Sequence, residues 1–135
     1  MQFFNIKGKS IPLNPDKVCE VHSINVKQTL VTFTSGFREI INISFEALQF
    51  YLVDNCSQGK IWVYMPGICG HMSMFDPEQI KDISSANPDQ TEITFVSNRH
   101  LFVDMAYKDV CDRINLSTGM VLSTLDNKII RYEGV

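Results

Sequence analysis

The chain has 135 residues, which is the size of one ordinary domain. Hydrophobic residues make up 44% of it and charged residues 20%, which is enough apolar material for a core and excludes a disordered or low-complexity chain. The net charge of −3 argues against a protein whose main task is to coat a phosphate backbone. Neither an export signal nor an apolar run of membrane-spanning length is visible. We therefore expect a cytoplasmic protein without membrane contact, with its four cysteines reduced.

The first half of the chain predicts a β-meander closed by one short helix. Apolar side chains alternate along residues 30–34, which is typical of a half-buried strand. Gly36 supplies the positive φ that a tight hairpin turn needs, and Ser44 is a good N-cap residue. The predicted elements, in chain order, are a turn at Asn14-Pro15, strands at 18–24, 30–34 and 39–43, and a helix after Ser44.

The same pattern recurs 62 residues later, where residues 3–52 align with 65–114 without a gap. Apolar positions match throughout, and the densest identities join residues 27–35 to 89–97. We interpret this as an internal duplication, with chance similarity between two β-rich segments as the alternative. The second set of elements is a turn at Asp76-Pro77, strands at 80–84, 92–96 and 101–105, and a helix with Tyr107, Val110 and Ile114 on one face.

The sequence thus predicts an α+β fold of two tandem β-meander-plus-helix repeats, each about 62 residues long, that share one core or one sheet. Residues 1–62 form the first repeat and residues 63–135 the second. Residues 60–64 resemble residues 128–132, now 68 positions apart, which predicts a C-terminal strand and a longer segment after the second helix, within 115–127.

The unit has a recognisable order of residues. Gly8-Lys9, Leu13-Asn14, the stretch 31–36 and the helix start at 44–48 follow one another at fixed spacing. This order resembles the small bacterial motility proteins of the FlbD/SwrD type. The resemblance implies a non-enzymatic factor that supports flagellar function and has no catalytic residues. We expect a bacterial or phage origin.

Reactive side chains do not recur between the two repeats. His22 aligns with Ser84 and Cys19 with Lys81, so no duplicated metal or nucleophile site is predicted. Cys69 and His71 stand in one glycine-bracketed loop, but they offer two metal ligands where zinc needs three or four. We interpret that loop as a turn joining the repeats. No catalytic residue, metal or cofactor is predicted, and the chain is expected not to be an enzyme.

Two groups of residues are candidates for binding. Trp62 and Tyr64 alternate with apolar neighbours, so they form an exposed aromatic pair unless both faces are covered at the junction between the repeats. Phe37-Arg38 and Arg99-His100 occupy equivalent hairpin tips, where two arginines could hold an anionic planar group. Two solvated turns are the alternative.

The leading functional hypothesis is a regulatory module that docks a partner protein through strand edges and the Trp62/Tyr64 surface, as a homo-oligomer. The alternative is a protein that sequesters an anionic small ligand or nucleotide through Arg38, Arg99 and His100. Nucleic acid is predicted to be an improbable partner, because the net charge is −3 and no basic helix is visible.

Overall fold

A computed structural model describes residues 2–6, 9–67 and 70–118 of the chain. Over these residues the protein has ten strands and two α-helices, which confirms the predicted α+β class. The elements are β1 (Gln2–Ile6), β2 (Lys9–Leu13), β3 (Val18–Asn25), β4 (Gln28–Phe33), β5 (Arg38–Ile41), α1 (Phe45–Asn55), β6 (Val63–Pro66), β7 (Met72–Phe75), β8 (Ile80–Asn87), β9 (Gln90–Phe95), β10 (His100–Val103) and α2 (Tyr107–Thr118).

The strands form three antiparallel sheets. The largest has the order β5-β4-β3-β7-β6, the second β10-β9-β8, and β1 pairs with β2 alone. The large sheet therefore contains strands from both sides of residue 62, because β7 pairs with β3. The division of the chain into units 1–62 and 63–135 stays a prediction.

Several local features recur 62 residues apart. Strands β3, β4 and β5 begin and end 62 positions before β8, β9 and β10. The Thr29 hydroxyl donates to the Ile43 carbonyl at 2.9 Å, and the Thr91 hydroxyl donates to the Met105 carbonyl at 2.8 Å. At the β9–β10 turn Asn98 has a φ of 68°, the left-handed conformation that glycine adopts most easily. The duplication that this pattern favours stays a prediction.

The apolar side chains collect into two cores, one under each helix. The Ser44 hydroxyl accepts from the Ala47 amide at 3.2 Å, so the predicted N-cap of α1 is confirmed. The first core contains Leu13, Val18, Val21, Val31, Ile41, Phe45, Leu48, Tyr51, Leu52, Trp62 and Met74. The second contains Cys19, Val63, Met65, Phe75, Ile80, Ile83, Ile93, Phe95, Leu101, Val103, Tyr107, Val110, Cys111 and Ile114.

The β6–β7 hairpin lies between these two cores and contributes to both. Successive side chains of a strand point to opposite faces, so Met74 packs in the first core while Phe75 packs in the second. Val63 and Met65 join Phe75 in the second core. Both faces of the hairpin are therefore covered with protein, and the hairpin joins the two halves of the fold.

This arrangement corrects the predicted exposed aromatic pair. Trp62 is only 8% exposed and belongs to the first core, and Tyr64 is half-buried against the same core. The Lys60 ammonium lies 4.4 Å from the centre of the Trp62 ring. The alternative interpretation, that both faces are covered at this junction, is confirmed.

Other expectations fall on residues that the structure does not describe. The predicted C-terminal strand, the match at 128–132 and the part of 115–127 beyond Thr118 lie outside the described residues, and so does Cys69. Within the ranges given above, neither helix has the length and apolar character needed to cross a bilayer.

Replacement of Trp62 by Ala should reduce the free energy of unfolding by about 3 kcal/mol, because a large buried side chain is removed from the first core. Urea unfolding followed by circular dichroism measures this. Phe50→Ala on α1 is the matched control, since Phe50 is 69% exposed, and it should change stability by less than about 0.5 kcal/mol. Equal effects of the two substitutions would show that Trp62 is not a core residue.

The buried thiols should be inert in the folded protein. Burial raises the pKa of Cys19 to about 12 and also raises the pKa of Cys111, whereas Cys56 is half-exposed. At pH 8 only about one in ten thousand Cys19 side chains is then a reactive thiolate. In a Cys69→Ser variant, Ellman's reagent should modify Cys56 in the native state and the two buried thiols only after denaturation. Prompt native reaction of all three thiols would contradict this placement.

Candidate functional site

The two hairpin tips named by the sequence lie side by side and are joined by reciprocal hydrogen bonds. The Arg38 guanidinium, at the start of β5, donates through Nη2 to the His100 carbonyl at 3.4 Å. The Arg99 guanidinium, beside β10, donates through Nε to the Gly36 carbonyl at 2.8 Å. Each arginine therefore binds the backbone of the opposite hairpin, and the two tips form one unit.

The tips also approach each other closely. Gly36 has a φ of 92°, and a Cβ atom placed on it would lie 3.4 Å from both the Cβ and the carbonyl oxygen of Ser97. We call the surface that the two turns form the tip platform. It consists of Ser35, Gly36, Phe37, Ser97, Asn98 and Arg99.

Phe37 gives the tip platform an apolar component. Phe37 is 57% exposed, and its ring stacks on that of Phe33 with 6.2 Å between ring centres. Neither Arg38 nor Arg99 forms a salt bridge to a carboxylate of the described residues, so both guanidinium charges are unpaired there. The platform thus combines a fixed aromatic ring with uncompensated positive charge.

A cleft of about 300 Å³ lies next to the tip platform. One of its walls is the outer face of the large sheet, and β10 provides the other. We call it the histidine cleft, because all three histidines of the chain line it. Its lining residues are His22, Leu30, Arg38, Gly67, His71, Ser73, His100, Leu101 and Phe102.

The cleft exists because β10 is attached to the large sheet at its two ends. At the start of β10, the His100 carbonyl accepts from Arg38. At its end, Val103 forms an isolated antiparallel bridge with Gly67, and the Asp104 amide donates to the Pro66 carbonyl at 3.0 Å. Between these attachments the two walls remain apart.

Cross-strand pairing places polar side chains in the wall formed by the large sheet. His22 on β3 is the direct partner of Ser73 on β7. The Glu20 carboxylate, 1% exposed, lies 3.0 Å from His22 Nδ1, two residues along the same strand. Ser73 is 1% exposed, and its hydroxyl has no hydrogen-bond partner in the structure.

The β10 wall repeats this association of a histidine with a carboxylate. His100 Nδ1 lies 3.2 Å from a Glu92 carboxylate oxygen and 3.1 Å from the Thr94 hydroxyl. Arg38, which also lines the cleft, donates through Nε to the Thr32 hydroxyl at 3.1 Å. In both His22 and His100 the Nδ1 atom is therefore engaged, which leaves Nε2 for a ligand.

The structure brings together four of the six residues proposed as binding residues from the sequence. Phe37, Arg38, Arg99 and His100 lie at the joined tips, whereas Trp62 and Tyr64 lie at the β6 hairpin. Their role in binding stays a prediction.

Sequence reasoning missed His22 and Ser73 as members of a site. The residues that line the cleft come from five strands and the β6–β7 turn, so no regular spacing along the chain connects them. His71 was considered only as a partner of Cys69. Among the described residues, no group of three or more histidine, cysteine or acidic side chains is arranged to hold a metal ion.

Comparison with known proteins identifies the fold. No protein-family model matches the chain, and no curated protein matches it significantly. The structure is similar to that of the LytTr DNA-binding domain of a methyl-accepting/DNA response regulator from Bacillus cereus, with a TM-score of 0.57 and 13% sequence identity. The alignment covers 87% of this chain and 94% of that domain.

This similarity contradicts two predictions made from the sequence. The protein-docking module, together with its small-ligand alternative, is replaced as the leading interpretation, because the similar fold is that of a DNA-binding domain. The prediction that nucleic acid is an improbable partner is wrong for the same reason. A net charge is a sum over the whole chain, and it does not report the charge of one exposed edge. The resemblance to FlbD/SwrD-type proteins is not addressed by this comparison.

Proposed function

We propose that the chain is a DNA-binding domain of a transcriptional regulator. The observation that carries this proposal is the similarity, over 87% of the chain, to a fold named as a LytTr DNA-binding domain. The contribution of the chain's own residues is the tip platform, where Arg99, which has no carboxylate partner among the described residues, and the exposed Phe37 stand on two joined hairpins. We assign the domain no catalytic reaction and retain the expectation that it is cytoplasmic.

The shape of the tip platform suits a DNA groove. The major groove admits a two-stranded β-ribbon, and β-ribbon proteins read bases there with side chains from the strands. Because Arg38 and Arg99 fix the two turns against each other, the platform would enter the groove with little loss of conformational entropy. Arg99 would contact a phosphate or a guanine, and Phe37 a thymine methyl group.

The charge distribution limits how strongly DNA can be held. Residues 1–62 carry six basic and five acidic side chains, and residues 63–135 carry six basic and ten. Binding would thus depend on a few local cations rather than on a broad basic surface. Since each phosphate contact contributes about −0.9 to the slope of log K against log salt, we expect a shallow slope of about −2 to −3.

We also propose that the fold arose by tandem duplication. The 62-residue spacing of β3–β5 and β8–β10, and the paired hydrogen bonds of Thr29 and Thr91, support this. Within the proposed function, duplication explains why two equivalent hairpin tips lie together.

The proposed function is tested with a fluorescently labelled, random-sequence 30-base-pair duplex and fluorescence anisotropy at low salt. The wild-type protein should bind with a dissociation constant of about 1–100 μM. Arg99→Gln removes the charge but keeps a donor for the Gly36 carbonyl, so affinity should fall several-fold and the salt slope should decrease by about 1.

The matched control is Arg113→Gln on α2. Arg113 is also exposed and also donates to a backbone carbonyl, that of Tyr64, at 3.2 Å. The Arg113→Gln substitution should change the affinity for the duplex by less than about twofold, since of the two arginines only Arg99 is placed in contact with DNA. Absence of wild-type binding at low salt would overturn the proposed function. Equal losses in the two variants would overturn the placement of DNA at the tips.

A further inference from the structure

The histidine cleft contains more polar groups than the fold requires. Its wall includes the Ser73 hydroxyl, which is buried and unpartnered, and an unpartnered buried hydroxyl costs about 1–3 kcal/mol. A ligand group that came within reach of this hydroxyl and accepted a hydrogen bond from it would recover that cost. This side chain therefore points to a ligand, because no contact within the described protein explains it.

The remaining polar groups of the cleft specify an anion. Arg38 has no carboxylate partner among the described residues, and its charge faces a cavity next to two imidazoles. Glu20 and Glu92 each lie within hydrogen-bond distance of the Nδ1 atom of a histidine, and neither carboxylate lines the cleft. His22 and His100 both line the cleft, and because the Nδ1 atom of each lies against a carboxylate, Nε2 is the ring nitrogen left for a ligand.

The side chain of His71 completes the set of donors. It lines the cleft and makes no hydrogen bond to another described side chain. The donors come from β3, β5, β7 and β10 and so surround the cavity from several sides. That arrangement suits a tetrahedral oxyanion better than a planar carboxylate, which is bound from one edge.

We propose that the histidine cleft is a binding site for a phosphate group, held by Arg38, Ser73 and the three histidines. A cavity of about 300 Å³ holds a phosphate together with part of an attached sugar, because one water occupies only about 30 Å³. The cleft adjoins the tip platform through Arg38 and His100. The identity of the phosphate rests on the proposed function: it is a backbone phosphodiester of the DNA whose groove receives the tips.

The histidines are reporters for the test. The chain has three, all in the cleft, so the three imidazole Hε1 signals in a ¹H–¹³C spectrum observe this site alone. Inorganic phosphate is titrated into the intact protein at constant pH, against sodium chloride of equal ionic strength. All three signals should move with phosphate and saturate.

Ser73→Ala is the decisive variant. Removing an unpartnered hydroxyl should leave thermal stability unchanged or slightly higher, while the apparent affinity for phosphate falls about tenfold. Ser117→Ala on α2 is the control, because Ser117 lines neither the cleft nor the tip platform. It should leave phosphate binding unchanged. Arg38→Gln is a second test of the cleft and should weaken phosphate binding by a similar factor.

The result that overturns the proposal is movement of the histidine signals no larger in phosphate than in chloride, or equal phosphate affinity in wild type and Ser73→Ala. A parallel titration with duplex DNA distinguishes a DNA phosphodiester from free phosphate as the ligand of the cleft. If saturating duplex prevents the phosphate-induced shifts, the cleft holds a DNA phosphodiester.

If phosphate binds but no duplex does, the site for free phosphate stands and the proposed DNA function fails. If duplex binds while neither duplex nor phosphate shifts the histidine signals, the DNA function stands and the phosphate site is overturned.

Discussion

The fold depends on the β6–β7 hairpin being covered on both faces. Its strand pairing to β3 makes it part of the large sheet, and its alternating side chains divide between two cores, with Met74 in one and Phe75 in the other. A two-stranded hairpin is marginal alone in water. Here burial on two sides stabilises it, and the same burial holds the two halves of the chain at a fixed position.

The two proposed contact surfaces follow from that fixed position. Because the halves are held by the hairpin and by the Gly67–Val103 bridge, the β4–β5 and β9–β10 turns meet, and each arginine reaches the backbone of the other turn. Strand β10 then passes over polar side chains of the large sheet, and the histidine cleft lies between the strand and the sheet. One packing constraint thus creates the joined hairpin tips and an adjacent polar cavity.

The sequence was sufficient for the local elements and insufficient for their assembly. Alternation and turn residues predicted β4, β9 and the cap of α1, since these depend on neighbours in the chain. The exposure of Trp62 could not be predicted, because it depends on which surfaces cover the hairpin, and those surfaces come from distant parts of the chain. The cleft could not be predicted, because His22, Ser73 and His100 meet only through sheet pairing and the attachment of β10. The DNA hypothesis was ranked low because net charge was used in place of local charge.

The central claim is that this fold presents its joined hairpin tips to a DNA groove and reads bases with them. In vitro selection from a random duplex library, with wild-type protein and with Arg99→Gln run in parallel, tests it most directly. The account predicts that wild-type protein enriches one recurrent sequence motif and that the variant loses preference at one or two positions of it. Failure of the wild type to enrich any motif, or an identical motif with undiminished preference from the variant, would contradict the account.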